Sequence, residues 1–288
     1  MQDPTEVFEQ HRPLLLGLGY RLLGSMWNAE DIVQDAYLRW TGTDRSEIRE
    51  PRAFLVTMVS RLALDQLRSA RVTREAYTGP WLPEPVSSNE FGPQETAELR
   101  DTLSYATLYL MERLSPPERA VFVLREAFEL PYDDIAEIVG SAAATCRQLH
   151  HRATKRLAQG RARFTSSTVD HAALLTRFLD AAQGGDLATL TDLLSEDVIA
   201  WNDGGGKVRA ALHPVIGRDR VLAFVNGLTS RYSMGDVRLV EANGAPAIWM
   251  NMGGLRQLVA FDIRDGRIHN IFGVLNPDKL SRITDGSI

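Results

Sequence analysis

The 288-residue chain has one cysteine, Cys146, so no disulfide can close within it and a metal site of the cysteine type is excluded. Nowhere does an apolar run approach the roughly 20 residues that span a bilayer. The opening Met-Gln-Asp-Pro-Thr-Glu lacks both the basic start and the apolar core of a secretory leader. The expected location is the cytoplasm, with no membrane partner. There is no internal repeat and no low-complexity tract. Acid is also missing from one interval: no Asp or Glu lies between Glu137 and Asp170, a stretch that contains Arg147, Arg152, Lys155, Arg156, Arg161 and Arg163. The whole chain carries a net charge of -5, so this basic segment is a local patch on an acidic body. A second patch comprises Arg52, Arg61, Arg68, Arg71 and Arg74, with Asp65 as the one acid among them. Two such patches point to docking of nucleic acid at two places.

The acid-free segment has the pattern of a helix-turn-helix. Ile135, Ile138 and Val139 share one face of a first helix, and Cys146, Leu149, Ala153 and Leu157 share one face of a second. Gly140 can end the first helix in the left-handed conformation, and Ser141 can cap the next. Arg147, His151 and Lys155 recur every four residues, as do Gln148 and Arg152, so each set lies on one side of the helix. Arg and Gln can pair with guanine and adenine edges, while Lys155 and Arg156 suit phosphates. Ser115-Pro116-Pro117-Glu118 has the form of a capping box with proline at the first helical position.

The organisation divides into five parts. Residues 5–74 are expected to be all helix, with Asn28 opening a helix from Ala29 to Trp40 and Pro51 opening a third. On the Ala29–Trp40 helix, Ile32, Val33, Ala36, Tyr37 and Trp40 form the buried face, and Asp31, Gln34, Asp35 and Leu38 the other. Residues 75–97, with Pro80, Pro83, Pro85 and Pro93, form an extended linker, although Trp81-Leu82-Pro83-Glu84-Pro85 is too apolar for a mere spacer. Residues 98–164 return to helix. Residues 168–275 hold two helices followed by strands at Val198–Asn202, Val208–Leu212, Val237–Ala242, Ala247–Met252, Leu255–Ile263 and Arg267–Val274, with a helix from Arg218 to Tyr232 among them. That order is an α+β layout with a curved, mostly antiparallel sheet. Residues 276–288 are a tail.

Residues 5–164 resemble a bacterial RNA polymerase sigma factor of the extracytoplasmic-function (ECF) class. The resemblance rests on the stretches Ala29–Trp40, Arg52–Arg71 and Leu114–Arg125 with the helix-turn-helix that follows. Residues 168–275 look like a SnoaL-like domain of the NTF2-like fold. The fusion, with Trp-Leu-Pro-Glu-Pro at 81–85, Asp-Gly-Gly-Gly-Lys at 203–207 and Asn-Pro-Asp-Lys-Leu at 276–280, is similar to one subgroup of these factors, the SigJ-like proteins. The implied fold is multidomain: two all-α sigma domains, the second with the helix-turn-helix, and a C-terminal α+β cone.

The resemblance implies that Asp31, Gln34, Asp35 and Leu38 dock on the beta-prime clamp of the polymerase core. It implies that Arg61, Arg68, Arg71 and Arg74 serve promoter opening, with Arg61 at a base. Arg147, Gln148, His151 and Arg152 would read the distal (-35) promoter element, with Lys155 and Arg156 on phosphates. Trp81, Leu82 and Pro83 are expected to dock against Asp203, Gly204, Gly205, Gly206 and Lys207 and against Asn276, Pro277, Asp278, Lys279 and Leu280, making the C-terminal domain a tethered regulator.

Gly204-Gly205-Gly206-Lys207 is not a phosphate-binding P-loop, because the spacing is wrong and Val208 follows the lysine. Polar groups that could serve a catalytic cone are Asp203, His213, Asp262 and His269, although the sequence does not show that they converge. No cofactor or metal is expected, and the chain is expected not to be an enzyme. Two alternatives stay open: a SnoaL-like enzyme, or a sensor of a small ligand held in the cone, either one carrying a DNA-binding module.

Overall fold

The computed structural model describes residues 3–91, 102–160 and 168–283, except for the side chains of residues 70–75, 88–89, 159–160 and 168–169. The chain divides into two compact units. The first comprises Met1–Glu75, Ser88–Leu103 and Thr107–Gly160; the second comprises Ala76–Ser87, Ser104–Ala106 and Arg161–Ile288.

In the first unit, α1 spans Pro4–Leu23, α2 Met26–Gly42 and α3 Pro51–Glu75. Asp3 caps α1 by accepting from the Thr5 amide at 3.0 Å, and Gly24 ends it at φ 68°. The expectation that Asn28 starts the second helix is corrected. Ser25 is the N-cap, its hydroxyl accepting from the Asn28 amide at 3.4 Å, and the helix begins at Met26. Serine at this place satisfies an otherwise unpaired amide one turn in. Ala29, Ile32, Val33, Ala36 and Trp40 are buried, as are Leu15, Leu18 and Leu22 of α1 and Leu55 of α3, the two helices that α2 packs against. Tyr37, by contrast, is half-buried. Helices α1 and α2 cross closely at Gly19, where an added Cβ would lie 3.1 Å from the Ala29 side chain.

The short helix α4 (Tyr105–Met111) precedes α5 (Pro116–Glu126), α6 (Tyr132–Val139) and α7 (Ala143–Gly160). Ser115 and Glu118 form the capping box: Glu118 Oε2 accepts from the Ser115 amide at 3.1 Å. Gly140 closes α6 at φ 72°, and the amides of Gly140 and Ser141 both donate to the Ala136 carbonyl. The second helix opens at Ala143, two residues beyond Ser141. Cys146, Leu149, Ala153 and Leu157 bury the inner face of α7, as the periodicity requires. Arg119, 1% exposed, joins the elements of this unit. Its Nε donates to the Arg21 carbonyl at 3.0 Å and its guanidinium pairs with Glu112 at 2.7 Å.

In the second unit, α8 (Thr168–Gly184) and α9 (Leu187–Leu193) lead into a six-stranded mixed sheet ordered β2-β1-β6-β5-β4-β3. The strands are β1 Leu194–Asp203, β2 Val215–Ile216, β3 Met234–Ala242, β4 Ala245–Met252, β5 Leu255–Arg264 and β6 Arg267–Val274, with α10 (Arg218–Arg231) between β2 and β3. The pair β1–β6 is parallel and the other pairs are antiparallel. This is the NTF2-like architecture. The expected strand at Val208–Leu212 does not form. Those residues follow the glycine turn, and a two-residue strand at Val215–Ile216 pairs with β1 in their place. An apolar run alone cannot make a strand when its ladder partner is taken. The core gathers Leu175, Phe178, Leu193, Val198, Ile248 and Ile268 between the helices and one sheet face.

Candidate functional site

The second unit holds a site centred on Asp203, the last residue of β1, which is fully buried. Its carboxylate accepts four hydrogen bonds. Oδ1 receives the Tyr77 hydroxyl at 2.6 Å and the Gly205 amide at 3.0 Å; Oδ2 receives the Leu82 amide at 3.0 Å and Lys279 Nζ at 2.8 Å. Its backbone carbonyl accepts the amides of Leu275 and Asn276, each at 2.8 Å. A buried carboxylate needs this many donors, because its desolvation is otherwise prohibitive. Burial raises the Tyr77 phenol above its ordinary pKa, and the adjacent Asp203 charge adds to that rise.

Lys279 extends the cluster. Its ammonium also donates to the Leu82 carbonyl and lies 3.4 Å from the Trp81 ring centroid. Asn276 donates from Nδ2 to the Tyr77 oxygen at 2.9 Å, and Lys207 pairs with Asp278. Gly205 is required here: its φ is 61°, and a Cβ would lie 2.4 Å from Asn276 Nδ2. At Gly206, with φ 70°, an added Cβ would lie 3.1 Å from the Thr78 side chain. Leu82 and Val86 are fully buried and Glu84 is 1% exposed, so the 76–87 segment is a packed strap. Further along the strap, the Val86 amide and carbonyl bond to Asn243, and the Tyr105 hydroxyl donates to the Pro83 carbonyl at 2.6 Å. Within this unit the structure brings together Trp81 and Leu82 with Asp203, Gly205, Asn276 and Lys279, while Pro83 meets Tyr105 instead. Tyr77 was not singled out in the sequence; an aromatic residue four positions before Trp81 was the available signal.

The basic residues lie in the first unit. Arg61 is exposed on α3 and donates from Nη2 to the Glu137 carbonyl at the end of α6, 3.1 Å away. Arg68 is exposed and pairs with Asp65. The side chains of Arg71 and Arg74 lie outside the described residues, as do Arg161 and Arg163. On α7, Arg147, Gln148, His151 and Lys155 are exposed along one side. Arg147 also sits 5.7 Å from the Tyr132 ring. Arg152 and Arg156 turn back to Glu118, at 3.4 and 2.7 Å. Burial alone would push the Glu118 carboxyl up, but the Ser115 hydrogen bonds and the two guanidinium charges outweigh it and leave the group below its ordinary value. Asp31, Gln34, Asp35 and Leu38 are all exposed on the outer face of α2, with Leu38 60% exposed.

The four polar candidates for cone chemistry do not converge. His213 is exposed, and His269 lies beside Asp197. Asp262 is held by Arg264 and Asn270, and Asp203 is committed to the strap. None of them lines the two cavities of the cone. No grouping of three potential metal ligands occurs among the described residues, and no described helix is long and apolar enough to cross a membrane.

A three-helix bundle carrying an arginine-rich helix, followed by a bundle with a basic helix-turn-helix, defines a sigma-type transcription module. Sequence comparison agrees: residues 7–73 match Sigma-70 region 2 and residues 106–157 match Sigma-70 region 4. The chain is 37% identical over 288 aligned residues to the ECF RNA polymerase sigma factor SigJ of Mycobacterium tuberculosis, covering 95% of this chain and 92% of the relative. It is 34% identical to the probable ECF sigma factor SigI of the same species, over 78% of this chain and 86% of the relative. The crystal structure of the M. tuberculosis SigJ superimposes with a TM-score of 0.77 at 34% identity, covering 96% of this chain and 98% of that one. The chain belongs to the ECF RNA polymerase sigma factor family. It is an alternative sigma factor that directs transcription, with a C-terminal NTF2-like domain fused to it.

Proposed function

We propose that this sigma factor is regulated through its own strap. In this account residues 5–74 engage core polymerase and the -10 element, residues 98–164 read the -35 element, and the intervening linker is held by the 168–275 domain and the 276–288 tail. The observation that carries it is the convergence of Tyr77, Leu82 and Lys279 on the buried Asp203 carboxylate. A strap held to the Asp203 carboxylate by two charge-assisted bonds, from Tyr77 and Leu82, limits how far apart the modules it connects can move, and the tether keeps the docked state populated even if each contact is weak.

The exposed acidic and apolar side of α2 (Asp31, Gln34, Asp35, Leu38) suits a basic-rimmed clamp on the core enzyme. On α7, Arg147, Gln148 and His151 would read base edges and Lys155 would bind phosphate, and their exposure along one side supports this. Arg152 and Arg156 would have to leave Glu118 before they could serve DNA. Arg61 would have to leave Glu137 in the same way. The cone is not a catalytic centre on this account, because its acid–base candidates do not converge on its cavities. The cytoplasm is the setting this function requires.

The test is promoter-dependent transcription with purified core enzyme. Full-length protein is compared with truncations after Ala162 and after Leu275. Removing the regulatory domain should change the yield several-fold, and the two truncations should differ. Equal transcription from all three forms would discard the strap account.

A further inference from the structure

The cone has an interior the strap does not use. An inner cavity of about 70 Å³ is walled mainly by apolar side chains, among them Phe178, Leu228, Met250 and Ile271. Beside it is a wider mouth of about 860 Å³, within the range of roughly 300–1,000 Å³ typical of small-molecule sites. Asn202, Phe224, Leu228, Met252 and Gln257 line both parts, so the two adjoin. The charged residues at the mouth are Lys207, Arg209 and Arg231, and no acidic side chain lines either part. Lys207 is paired with Asp278, while Arg209 and Arg231 are exposed with no carboxylate partner among the described residues.

One polar atom inside lacks a partner. Asn202 Nδ2 is buried and makes no hydrogen bond, although its side chain lines both parts of the space. A buried amide hydrogen without an acceptor is costly, and a ligand oxygen would relieve it. Gly273 keeps this spot open, since a Cβ there would lie 2.8 Å from Asn202 Oδ1.

From these features we infer that the cone is a binding site for a linear amphipathic carboxylate. The alkyl chain runs along the apolar walls of the wider part with its end in the inner cavity, and the carboxylate lies at the mouth between Arg209 and Arg231. Guanidinium groups recognise carboxylates through paired charge-assisted hydrogen bonds, which neutral or cationic head groups cannot form. Asn202 is followed directly by Asp203, and side chains alternate along a strand. A bound ligand would therefore sit one residue from the anchor of the strap. The binding claim itself does not depend on the strap account.

Dodecanoate is the probe, used with the full-length chain below its micellar concentration and followed by calorimetry. Octanoate, 1-dodecanol and dodecyltrimethylammonium serve as comparators. One dodecanoate should bind per chain, about tenfold or more tighter than either of the other twelve-carbon compounds. Affinity should rise roughly tenfold for each two methylenes added between octanoate and dodecanoate. The variant R209Q/R231Q changes two exposed side chains and should keep its thermal melt. It should reduce the head-group preference to about threefold or less while leaving dodecanol unaffected. Absence of saturable one-to-one binding, equal affinity for carboxylate and trimethylammonium heads, or a double variant that keeps the full preference would each overturn the assignment.

Discussion

Arg61 and Glu137 are joined by a hydrogen bond of 3.1 Å from the guanidinium to a backbone carbonyl. The carbonyl belongs to the last turn of α6, where helix carbonyls lack intrahelical donors and the dipole favours a cation. The contact is exposed, so it holds the arginine only lightly. Arg61→Ala should therefore shift the thermal midpoint very little, by less than about 0.5 kcal/mol of stability. If Arg61 contacts a base during opening, transcription from duplex promoter should fall about tenfold and recover on a premelted template. A matched loss on both templates would show that Arg61 acts at another step.

Asp203→Ala removes the acceptor for Tyr77, Leu82 and Lys279 at once. Lys279, 7% exposed, then becomes a buried cation without its carboxylate. Breaking one side of such a pair costs about 3–5 kcal/mol. The double variant D203A/K279M, which removes both charges, should regain a large part of that loss. Chemical denaturation of the three proteins measures this, and proteolysis within residues 76–87 should increase in the single variant.

Two glycines provide a paired test of close approach. Gly140 and Gly205 both have positive φ, at 72° and 61°, but only Gly205 has a neighbour in the way of a Cβ. Gly140→Ala should cost about 1 kcal/mol from backbone strain alone. Gly205→Ala should cost at least twice that, because the methyl would displace Asn276 as well. Equal melting shifts would show that the loop yields freely.

Glu118 links the capping box to Arg152 and Arg156, and its carboxyl is held below the ordinary value of 4.5. A carboxylate depressed in the folded state contributes stability that is complete above its unfolded pKa and is lost as pH falls through its folded pKa. The stability gap between wild type and Glu118→Gln should thus be constant near neutrality and close as pH drops below about 4.5. Melting curves from pH 7 to pH 3 would show this; a gap that is independent of pH would mean that shape alone accounts for the role of Glu118.

Much of this was legible in the chain before folding. The 3.6-residue recurrence of Cys146, Leu149, Ala153 and Leu157 determined the buried face of α7. Ser115 and Glu118 marked a helix start, and Gly140 marked an end, because caps are local chemistry within four residues. The start of α2 was misplaced by three residues, since both Ser25 and Asn28 are capable caps and only packing chose between them. The sequence also singled out the three motifs of the strap site, but not their geometry. Tertiary structure alone set Tyr77 beside Trp81, at 4.8 Å between ring centroids, and turned Arg152 and Arg156 back to Glu118. It also placed Asn202 in the cone while its neighbour Asp203 holds the strap. The physical reason is range. Periodicity and capping act over a few residues, whereas the partners of a buried charge such as Asp203 lie 76 and 126 positions away and are selected only when the whole unit closes around it.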